Sequence, residues 1–322
     1  MIINILFKAS TQSEESQAEL DNLKIELARK GKELEEFKLA QKANELKTES
    51  FEYEDDLKRE SQYEDWLSKY KSPNPKNQEY CINILKNKKG SSSQMSQDLF
   101  LFFNFFKYWP MLNITGFYLD SGANEAIHLS NTYFYDVCLG WNGICVEPEV
   151  QYHTQLREKR SCILVTECIS DVEKNVTFNN ANELGSVVEN NPNVNQTNCL
   201  PLFEILNKHP VSAVSKEIDF WSLDVEGYEL VVLETVNFNL IKVNSLLIEE
   251  FWLSTRRLDR KLSESNFNKF HQLPIDSVYT PRNFKHVGSS VNYIWYPEDY
   301  KDTWKLNDDY RKRPEVISKL QC

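Results

Sequence analysis

The sequence GFYLDSGANEAIHLSNT, residues 116–132, joins an apolar run directly to an acid, a glycine and a row of small polar residues. The run from Phe117 to Leu119 has the composition of a buried strand, and Asp120 and Gly122 follow at its end. A surface turn does not require a carboxylate at the end of such a strand. Glycine at this place permits an unusual φ and a close approach of the backbone to a ligand. The stretch therefore predicts a binding site at the end of a core strand.

Strand-like and helix-like segments alternate outward from this stretch. The strand-like segments are GFYLD, GICVE, SCILVTEC, EIDFWSLDVE and VNSLLIEE, and between them lie the helix-like AIHLSNTYFYDVCLG, EVQYHTQLREK and GYELVVLETV. Such alternation predicts right-handed βαβ units, a mostly parallel sheet and helices on both of its faces. The segment SVYTPRNFKHVGSSVNYIWY, residues 277–296, predicts two antiparallel strands at one edge of the sheet. The predicted fold class is therefore α/β.

The amino-terminal part of the chain has a different composition. Residues 12–70 are rich in Glu, Lys, Leu and Gln and contain no proline, which predicts a long helix. A heptad pattern of leucines fades after about residue 40, and two interpretations stay open: a coiled coil that pairs two copies of the chain as a homodimer, and a solvated extension. We predict a helical extension at residues 1–70, a linker at 71–80 and a folded domain at 81–322.

Charge and hydropathy exclude several classes of partner. The formal net charge is −11, so a broad basic surface for nucleic acid is not expected. The amino-terminal apolar run IINILF is far shorter than a membrane span, and no cleavage pattern of a secretory signal follows it. These features predict a cytoplasmic protein without a membrane span. Glycosylation sequons at Asn113, Asn175 and Asn195 leave a secretory compartment open if an upstream segment is missing.

The cysteines predict neither a disulfide scaffold nor a zinc module. There are seven of them, an odd number, and no two have CxxC spacing. Cys145 and Cys162 lie in apolar, strand-like runs, where a small buried thiol is the expected state.

Acidic and small polar residues follow four of the predicted strands. In an open α/β sheet, ligands bind outside the carboxyl ends of the strands, near the point where the strand order reverses. Glu147 lies 25 residues after Gly122, where an acid can accept hydrogen bonds from both hydroxyls of a ribose. The chain has neither GxGxxG nor GxxxxGK[ST], so a pyrophosphate or triphosphate is not indicated. The pattern favours a nucleoside-like cofactor without a phosphate chain.

At these residues the sequence resembles the FkbM-type methyltransferase family. The matching stretches are SQDLFL, GFYLDSGANEAIHLSNTYFYDVCLGWNGICVEPEVQYHTQLREKR and IDFWSLDVEGYELVVLE, spread over roughly residues 94–296. The resemblance implies a Rossmann-like, seven-stranded sheet that binds S-adenosylmethionine. It also implies methyl transfer to a hydroxyl oxygen of a sugar, another small molecule or a glycan.

The resemblance also assigns the cofactor site. The loop after the first strand would lie under the methionine half, Glu147 would hold the ribose hydroxyls, and Ser170 and Asp171 would meet the adenine. For Asn131, helix capping and a cofactor contact are both open interpretations. The expected cofactor-binding residues are Asp120, Gly122, Ala123, Asn124, Asn131, Glu147, Ser170 and Asp171.

The acids of LDVEGYE and LLIEE are the expected catalytic groups. Methyl transfer to a hydroxyl benefits from a base, and Asp224, Glu226 and Glu249 are the candidates. The alternative is that these acids bind a divalent cation that lowers the pKa of the acceptor hydroxyl, although no residue is assigned as a metal ligand.

One position departs from the family pattern. The pattern Asp-x-Gly-Ala-x-x-Gly ends here in Ala126. An alanine in an ordinary helical conformation would cost little, whereas a required positive φ or a cofactor contact would weaken binding. The alternative function is therefore a catalytically impaired protein of the same fold that acts as an interaction module through its helical extension.

Overall fold

The computed structural model describes residues 30, 38, 58–178, 187–188, 196–208, 217–250 and 255–284. The chain divides into two compact units, residues 1–59 and residues 60–322. Only four residues of the first unit are described, namely Lys30, Lys38, Lys58 and Arg59. Apart from Lys30 and Lys38, residues 1–57 of the predicted helical extension, with its coiled-coil pattern, therefore lie outside the described residues, whereas residues 58–69 form a helix.

The second unit contains helices and strands that alternate over most of its length. The strands are β1 (Phe117–Ser121), β2 (Asn142–Val146), β3 (Ile163–Val165), β4 (Cys168–Ile169), β5 (Lys174–Phe178), β6 (Val187–Val188), β7 (Thr197–Leu200), β8 (Glu217–Leu223), β9 (Lys242–Glu249), β10 (Phe267–Gln272) and β11 (Asp276–Pro281). The helices are α1 (58–69), α2 (Gln78–Asn87), α3 (Gln97–Leu101), α4 (Tyr133–Leu139), α5 (Val150–Lys159), α6 (Leu202–Lys208), α7 (Glu229–Thr235) and α8 (Thr255–Glu264).

Seven strands form the main sheet, in the order β10, β11, β9, β8, β1, β2, β3. The five strands β9, β8, β1, β2 and β3 pair in parallel, and β11 is antiparallel to both β9 and β10. The α/β class and the mostly parallel sheet are thus confirmed. The antiparallel edge is confirmed too, but residues 267–281 form it rather than 277–296, and residues 285–296 lie outside the described part.

The strand order reverses beside β1. From β1 the chain runs outward through β2 and β3, and it then returns to place β8 on the other side of β1. The carboxyl ends of β1 and β8 therefore flank a topological switch point, which is where open α/β sheets leave a crevice. A separate small sheet contains β4, β7, β5 and β6 in that order.

The segment before β1 supplies a large part of the aromatic core. Helix α3 continues as a π-helix at Phe102–Phe106, and all ten residues from Gln97 to Phe106 are buried. Phe100 and Phe105 contact Phe270 of β10. This buried helical segment therefore packs on β10, the edge strand of the sheet.

Helix α1 packs against the folded domain through its last turns. Tyr63 and Leu67 are buried, the Tyr63 hydroxyl donates to the Leu85 carbonyl, and the Tyr70 hydroxyl donates to the Cys138 carbonyl at 2.7 Å. Ser72 also donates to the Val137 carbonyl. The boundary between the two units therefore falls after Arg59, ahead of the predicted linker at residues 71–80.

The helix after β1 is shorter than predicted. A helix was expected from residue 126, yet α4 begins at Tyr133. Asn124 and Leu129 have positive φ values of 48° and 60°, which no α-helix contains. The Ser130 hydroxyl accepts from the Tyr133 backbone N–H at 3.1 Å and fixes the new start.

Six of the seven cysteines form disulfides, so the prediction of buried thiols is wrong. The bonds join Cys81 to Cys138, Cys145 to Cys162, and Cys168 to Cys199. Cys145 and Cys162 belong to neighbouring segments of the sheet, a proximity that spacing along the chain does not reveal. The seventh cysteine, Cys322, lies outside the described residues.

Removal of the longest-range disulfide should cost the most stability. The bond between Cys81 and Cys138 spans 57 residues and that between Cys145 and Cys162 spans 17. Chain entropy predicts losses of about 4 kcal/mol and about 3 kcal/mol, respectively, when each pair is replaced by alanine. Denaturant unfolding of the two double variants measures these losses. A larger loss from the 17-residue loop would contradict the entropic explanation.

No described helix has both the length and the apolar composition that a membrane span requires.

Candidate functional site

The candidate site lies where the carboxyl ends of β1 and β8 meet. The Asp224 backbone N–H donates to the Ser121 carbonyl at 3.0 Å, and Gly122 has a φ of +80°. A Cβ on Gly122 would lie 1.8 Å from the Asp224 carbonyl oxygen. Glycine was expected here so that a ligand can approach. The structure shows that the neighbouring strand uses this space, because the glycine lets the chain at Asp224 pack directly on the loop.

The loop after β1 is fastened to the end of β2. The backbone N–H groups of Gly122 and Ala123 both donate to the Val146 carbonyl. The Asn124 N–H donates to Glu147 Oε2 at 2.6 Å, and the Glu149 N–H donates to Glu147 Oε1 at 2.8 Å. Two lone pairs of the carboxylate remain for a ligand, since a carboxylate has about four acceptor positions.

Glu147 is buried, and its environment changes its acidity. The side chain is 4% exposed, and this burial raises its pKa to about 7 in spite of the two backbone hydrogen bonds it accepts. The carboxyl group therefore changes its charge near neutral pH. Asn124 Oδ1 is a second buried oxygen nearby, and among the described residues it has no hydrogen-bond partner.

Asp120 belongs to a buried ionic network around Arg160. The Arg160 guanidinium donates to Asp136 Oδ2 at 2.7 Å and lies 3.7 Å from Asp120 Oδ2. It also donates to the Thr132 hydroxyl, and that hydroxyl donates in turn to Asp120. Burial raises the pKa of Asp120, and Arg160 opposes this shift. The network connects the end of β1 to α4 and to the end of α5. A cofactor contact by Asp120 stays a prediction.

Asn131 belongs to a second buried network that crosses the site. Its Nδ2 donates to the Ser222 hydroxyl at 3.1 Å, and its Oδ1 accepts from the Ser93 hydroxyl at 2.7 Å. Ser93 also contacts Gln97, whose Nε2 donates to Asp276 Oδ2 at 2.6 Å. The chain of hydrogen bonds runs from β8 to β11. These hydrogen bonds give Asn131 a structural role, but none of them caps a helix, and a cofactor contact by Asn131 stays a prediction.

Three acids converge beside this network at the ends of β8 and β9 and the start of α7. One carboxylate oxygen of Asp224, one of Glu229 and one of Glu249 all lie within 4.8 Å of one another. Burial, reinforced by the nearby Glu226, raises the pKa of both Asp224 and Glu249 well above the usual value. The structure thus brings two of the three expected catalytic acids together, with Glu226 close by at a φ of 53°.

Ser170 and Asp171 occupy a different part of the fold. They follow β4, a strand of the small sheet, and Asp171 is exposed and forms an ion pair with Lys174 at 2.7 Å. Ser170 is buried, and its hydroxyl donates to the Val172 carbonyl. Among the described residues no hydrogen bond joins either of them to the loop after β1. Their expected role at the adenine stays a prediction.

Ala126 fits the loop without backbone strain. It is fully buried in the aromatic core, and it is not among the residues of the described chain that have positive φ. Its N–H donates to Gln155 Oε1 at 3.3 Å. The departure from the family pattern is therefore accommodated by packing the methyl group into the core.

Sequence reasoning missed Arg160 and its partner Asp136. Arg160 is the last residue of the run REKR, and the run reads as an ordinary solvated helix end. Nothing in that pattern distinguishes a buried arginine from its exposed neighbours. The burial of Arg160 is visible only in the structure, in which α5 ends beneath the loop after β1.

A comparison of the chain with protein-family models found no match, and a comparison with the curated proteins found none either. The resemblance to the FkbM-type family therefore stays a prediction.

Proposed function

We propose that this chain is a methyltransferase that uses S-adenosylmethionine and acts on a hydroxyl oxygen of a sugar, another small molecule or a glycan. The observation that carries the proposal is the convergence of the Gly122 loop, Glu147 and the acids around Asp224 at one switch point of the sheet. Ligand crevices of open α/β sheets form at this place. The seven-stranded sheet agrees with the Rossmann-like fold that the resemblance implies.

The cofactor side of the proposal is based on the ends of β1 and β2. Glu147 presents a buried carboxylate that is already oriented by two backbone N–H groups, so it can accept hydroxyl donors with little loss of entropy. Asn124 adds an unpartnered oxygen within the same loop. These groups suit a ribose and the polar end of an amino acid. They do not require a phosphate chain.

The acceptor side of the proposal is based on the acids of β8 and β9. When bound, S-adenosylmethionine supplies a sulfonium methyl carbon that an acceptor oxygen can attack. The protein then has to align the hydroxyl and take its proton, and Asp224 or Glu249 can do so because a raised pKa makes a carboxylate a stronger base. Glu226 stays the third candidate.

The alternative function, an interaction module, gains no support from backbone strain at Ala126, since the φ of that residue is not positive. A cofactor contact at its methyl group stays a prediction. Most of the helical extension that an interaction module or a homodimer would use, residues 1–57 apart from Lys30 and Lys38, lies outside the described residues.

Cofactor affinity should depend on pH through Glu147. Because ribose hydroxyls donate to the ionised carboxylate, binding should weaken as the pH falls below about 7, by up to about tenfold per pH unit. Titration of the full chain with S-adenosylhomocysteine at pH 5.5, 7 and 8.5 measures this dependence.

Variants of two neighbouring acids distinguish the titration of Glu147 from a general loss of cofactor binding at low pH. Glu147→Gln should bind at least tenfold more weakly at pH 8.5 and lose the pH dependence. Glu149→Gln is the matched control, since Glu149 is two residues away and its side chain accepts from Gln151 at the surface. Equal affinities at all three pH values in the wild type would exclude Glu147 as the ribose ligand.

A further inference from the structure

The acids at the ends of β8 and β9 are arranged as a ligand set. Asp224 follows β8, Glu229 begins α7, and Glu249 ends β9, so three separate segments deliver their carboxylates to one point. The sequence spacing alone does not require this meeting. It follows from the pairing of β8 with β9 in parallel, which aligns their carboxyl ends.

Each of these carboxylates has one oxygen without a partner. Among the described residues Asp224 Oδ1, Glu229 Oε2 and Glu249 Oε2 are buried and accept no hydrogen bond. Glu229 is fully buried, and its other oxygen, Oε1, accepts from the N–H groups of Val225 and Gly227 at 2.9 and 3.1 Å. The backbone therefore fixes this side chain and leaves Oε2 available. Unsatisfied buried carboxylate oxygens are costly.

The adjacent Glu250 shows how a buried acid is compensated in the same protein. Its side chain accepts from Lys269, Tyr279 and Thr255, with the Lys269 ion pair at 3.0 Å. Asp224 and Glu249 share a side-chain hydrogen bond, but no lysine, tyrosine or threonine among the described residues donates to the three free oxygens. Glu226 and Asp276 add further negative charge near Asp224 and Glu249. A cation is the group that would satisfy all three acids at once.

The spacing fits a hard divalent cation. Two oxygens bound to one ion are at most about 4.2 Å apart for Mg²⁺ and about 5 Å apart for Ca²⁺, from metal–oxygen distances of about 2.1 and 2.5 Å. One carboxylate oxygen of each acid lies within 4.8 Å of the other two, a limit that is inside the Ca²⁺ span and about 0.6 Å wider than the Mg²⁺ span. All three ligands are carboxylates, which such ions prefer to thiolates or imidazoles.

We propose that Asp224, Glu229 and Glu249 bind a divalent cation of the Mg²⁺, Mn²⁺ or Ca²⁺ class. Three protein ligands leave further coordination positions for water or for a hydroxyl. If the proposed methyl transfer is correct, an acceptor hydroxyl at such a position would lose its proton more readily. With Asp224 and Glu249 bound to the ion, Glu226 would be the candidate base that takes this proton. That role rests on the proposed function, whereas cation binding does not.

Calorimetric titration of the chelator-treated full chain with Mn²⁺, in the absence of any cofactor, tests the site. We expect saturable binding of one ion per chain. Glu229→Gln should weaken it at least tenfold while it keeps the Oε1 acceptor for the Val225 and Gly227 N–H groups. Glu234→Gln on the exposed face of α7 is the matched control and should bind as the wild type does.

Two outcomes would overturn the proposal. One is the absence of saturable Mn²⁺ binding by the wild type, a result that does not depend on any variant being folded. The other is unchanged affinity in folded Glu229→Gln and Glu249→Gln. The Mn²⁺ titration contains no cofactor, so the two proposals can fail separately. If the chain binds Mn²⁺ but does not bind S-adenosylmethionine in a separate titration, the methyltransferase proposal is refuted and the metal site is supported.

A second, independent inference concerns Asn113. The three disulfides are typical of proteins that fold in an oxidising compartment, because reducing compartments keep thiols free. The sequon Asn113-Ile114-Thr115 is exposed at all three residues and lies in a turn before β1. Asn175 is exposed too, but its strand β5 is paired on both sides. Asn113 thus offers the most accessible acceptor of the described sequons.

We infer that Asn113 is N-glycosylated in an oxidising secretory compartment. Its amide nitrogen would form a bond to the anomeric carbon of a lipid-linked oligosaccharide, with loss of one amide proton and departure of the lipid pyrophosphate. This inference departs from the predicted cytoplasmic location.

Mass spectrometry of the chain isolated from the cells that naturally produce it tests both parts. We expect three intact disulfides under non-reducing conditions, together with a glycan on the Asn113 peptide whose enzymatic release converts Asn113 to aspartate. An unmodified Asn113 peptide would overturn the glycosylation, and free thiols at the six paired cysteines would overturn the compartment.

Discussion

Gly122→Ala is expected to destabilise the domain by about 3 kcal/mol or more, because two separate penalties act at one position. The first is the backbone, since a φ of +80° is unfavourable for alanine. The second is a steric clash, since the new Cβ would lie 1.8 Å from the Asp224 carbonyl oxygen. Relief of the clash requires β1 and β8 to separate at the switch point, so cofactor and metal binding should be lost as well.

Gly140→Ala is the matched control for this variant. Gly140 also has a positive φ, +65°, but a Cβ there would meet only the ring of Pro73 at 3.1 Å. It should therefore carry the backbone penalty alone, about 1–2 kcal/mol. Denaturant unfolding of both variants gives the difference. Equal losses would contradict the close packing of β1 on β8.

Arg160→Met is expected to cost about 3–5 kcal/mol, because it leaves two buried carboxylates without a counter-charge. Arg160 contacts Asp136 at 2.7 Å and Asp120 at 3.7 Å, and its guanidinium is fully buried. Burial already raises the pKa of Asp120 in the presence of the arginine. Without the arginine, protonation at low pH should relieve the repulsion, so the loss should be smaller at pH 5 than at pH 8.

The triple variant Arg160→Met, Asp120→Asn, Asp136→Asn separates charge from packing. Removal of all three charges should recover most of the lost stability, since a neutral network of similar volume has no buried ion. Arg157→Met in α5, the helix that ends just before Arg160, is the control, because Arg157 is exposed. If the triple variant is no more stable than Arg160→Met, the loss comes from packing and the ionic explanation is wrong.

The fold was predictable from the sequence where local patterns are periodic. The apolar runs of β1, β2, β8 and β9 and the helices between them follow from composition and alternation, and the parallel sheet follows from their order. The start of α4 was not predictable, because Asn124 and Leu129 take positive φ only under the constraints of the loop. The disulfides were not predictable either, because an odd number of cysteines with irregular spacing does not show which cysteines pair.

The candidate site was predictable in location but not in its internal contacts. The rule that ligands bind at the carboxyl ends of parallel strands led to Gly122, Glu147, Asp224 and Glu249. It did not reveal that Glu147 holds the loop backbone or that Asp120 pairs with Arg160. These contacts join residues that are distant along the chain. Sequence patterns record which elements form, whereas the partners of a buried charge depend on how those elements pack.

The switch point is expected to bind S-adenosylmethionine, and calorimetric titration of the full chain with this cofactor at pH 8 measures that binding. The ionised form of Glu147 dominates at this pH, since its pKa is about 7. We predict saturable binding with one cofactor per chain and a rise in the unfolding temperature. The absence of both heat and thermal stabilisation at millimolar cofactor, with and without Mg²⁺, would contradict the claim.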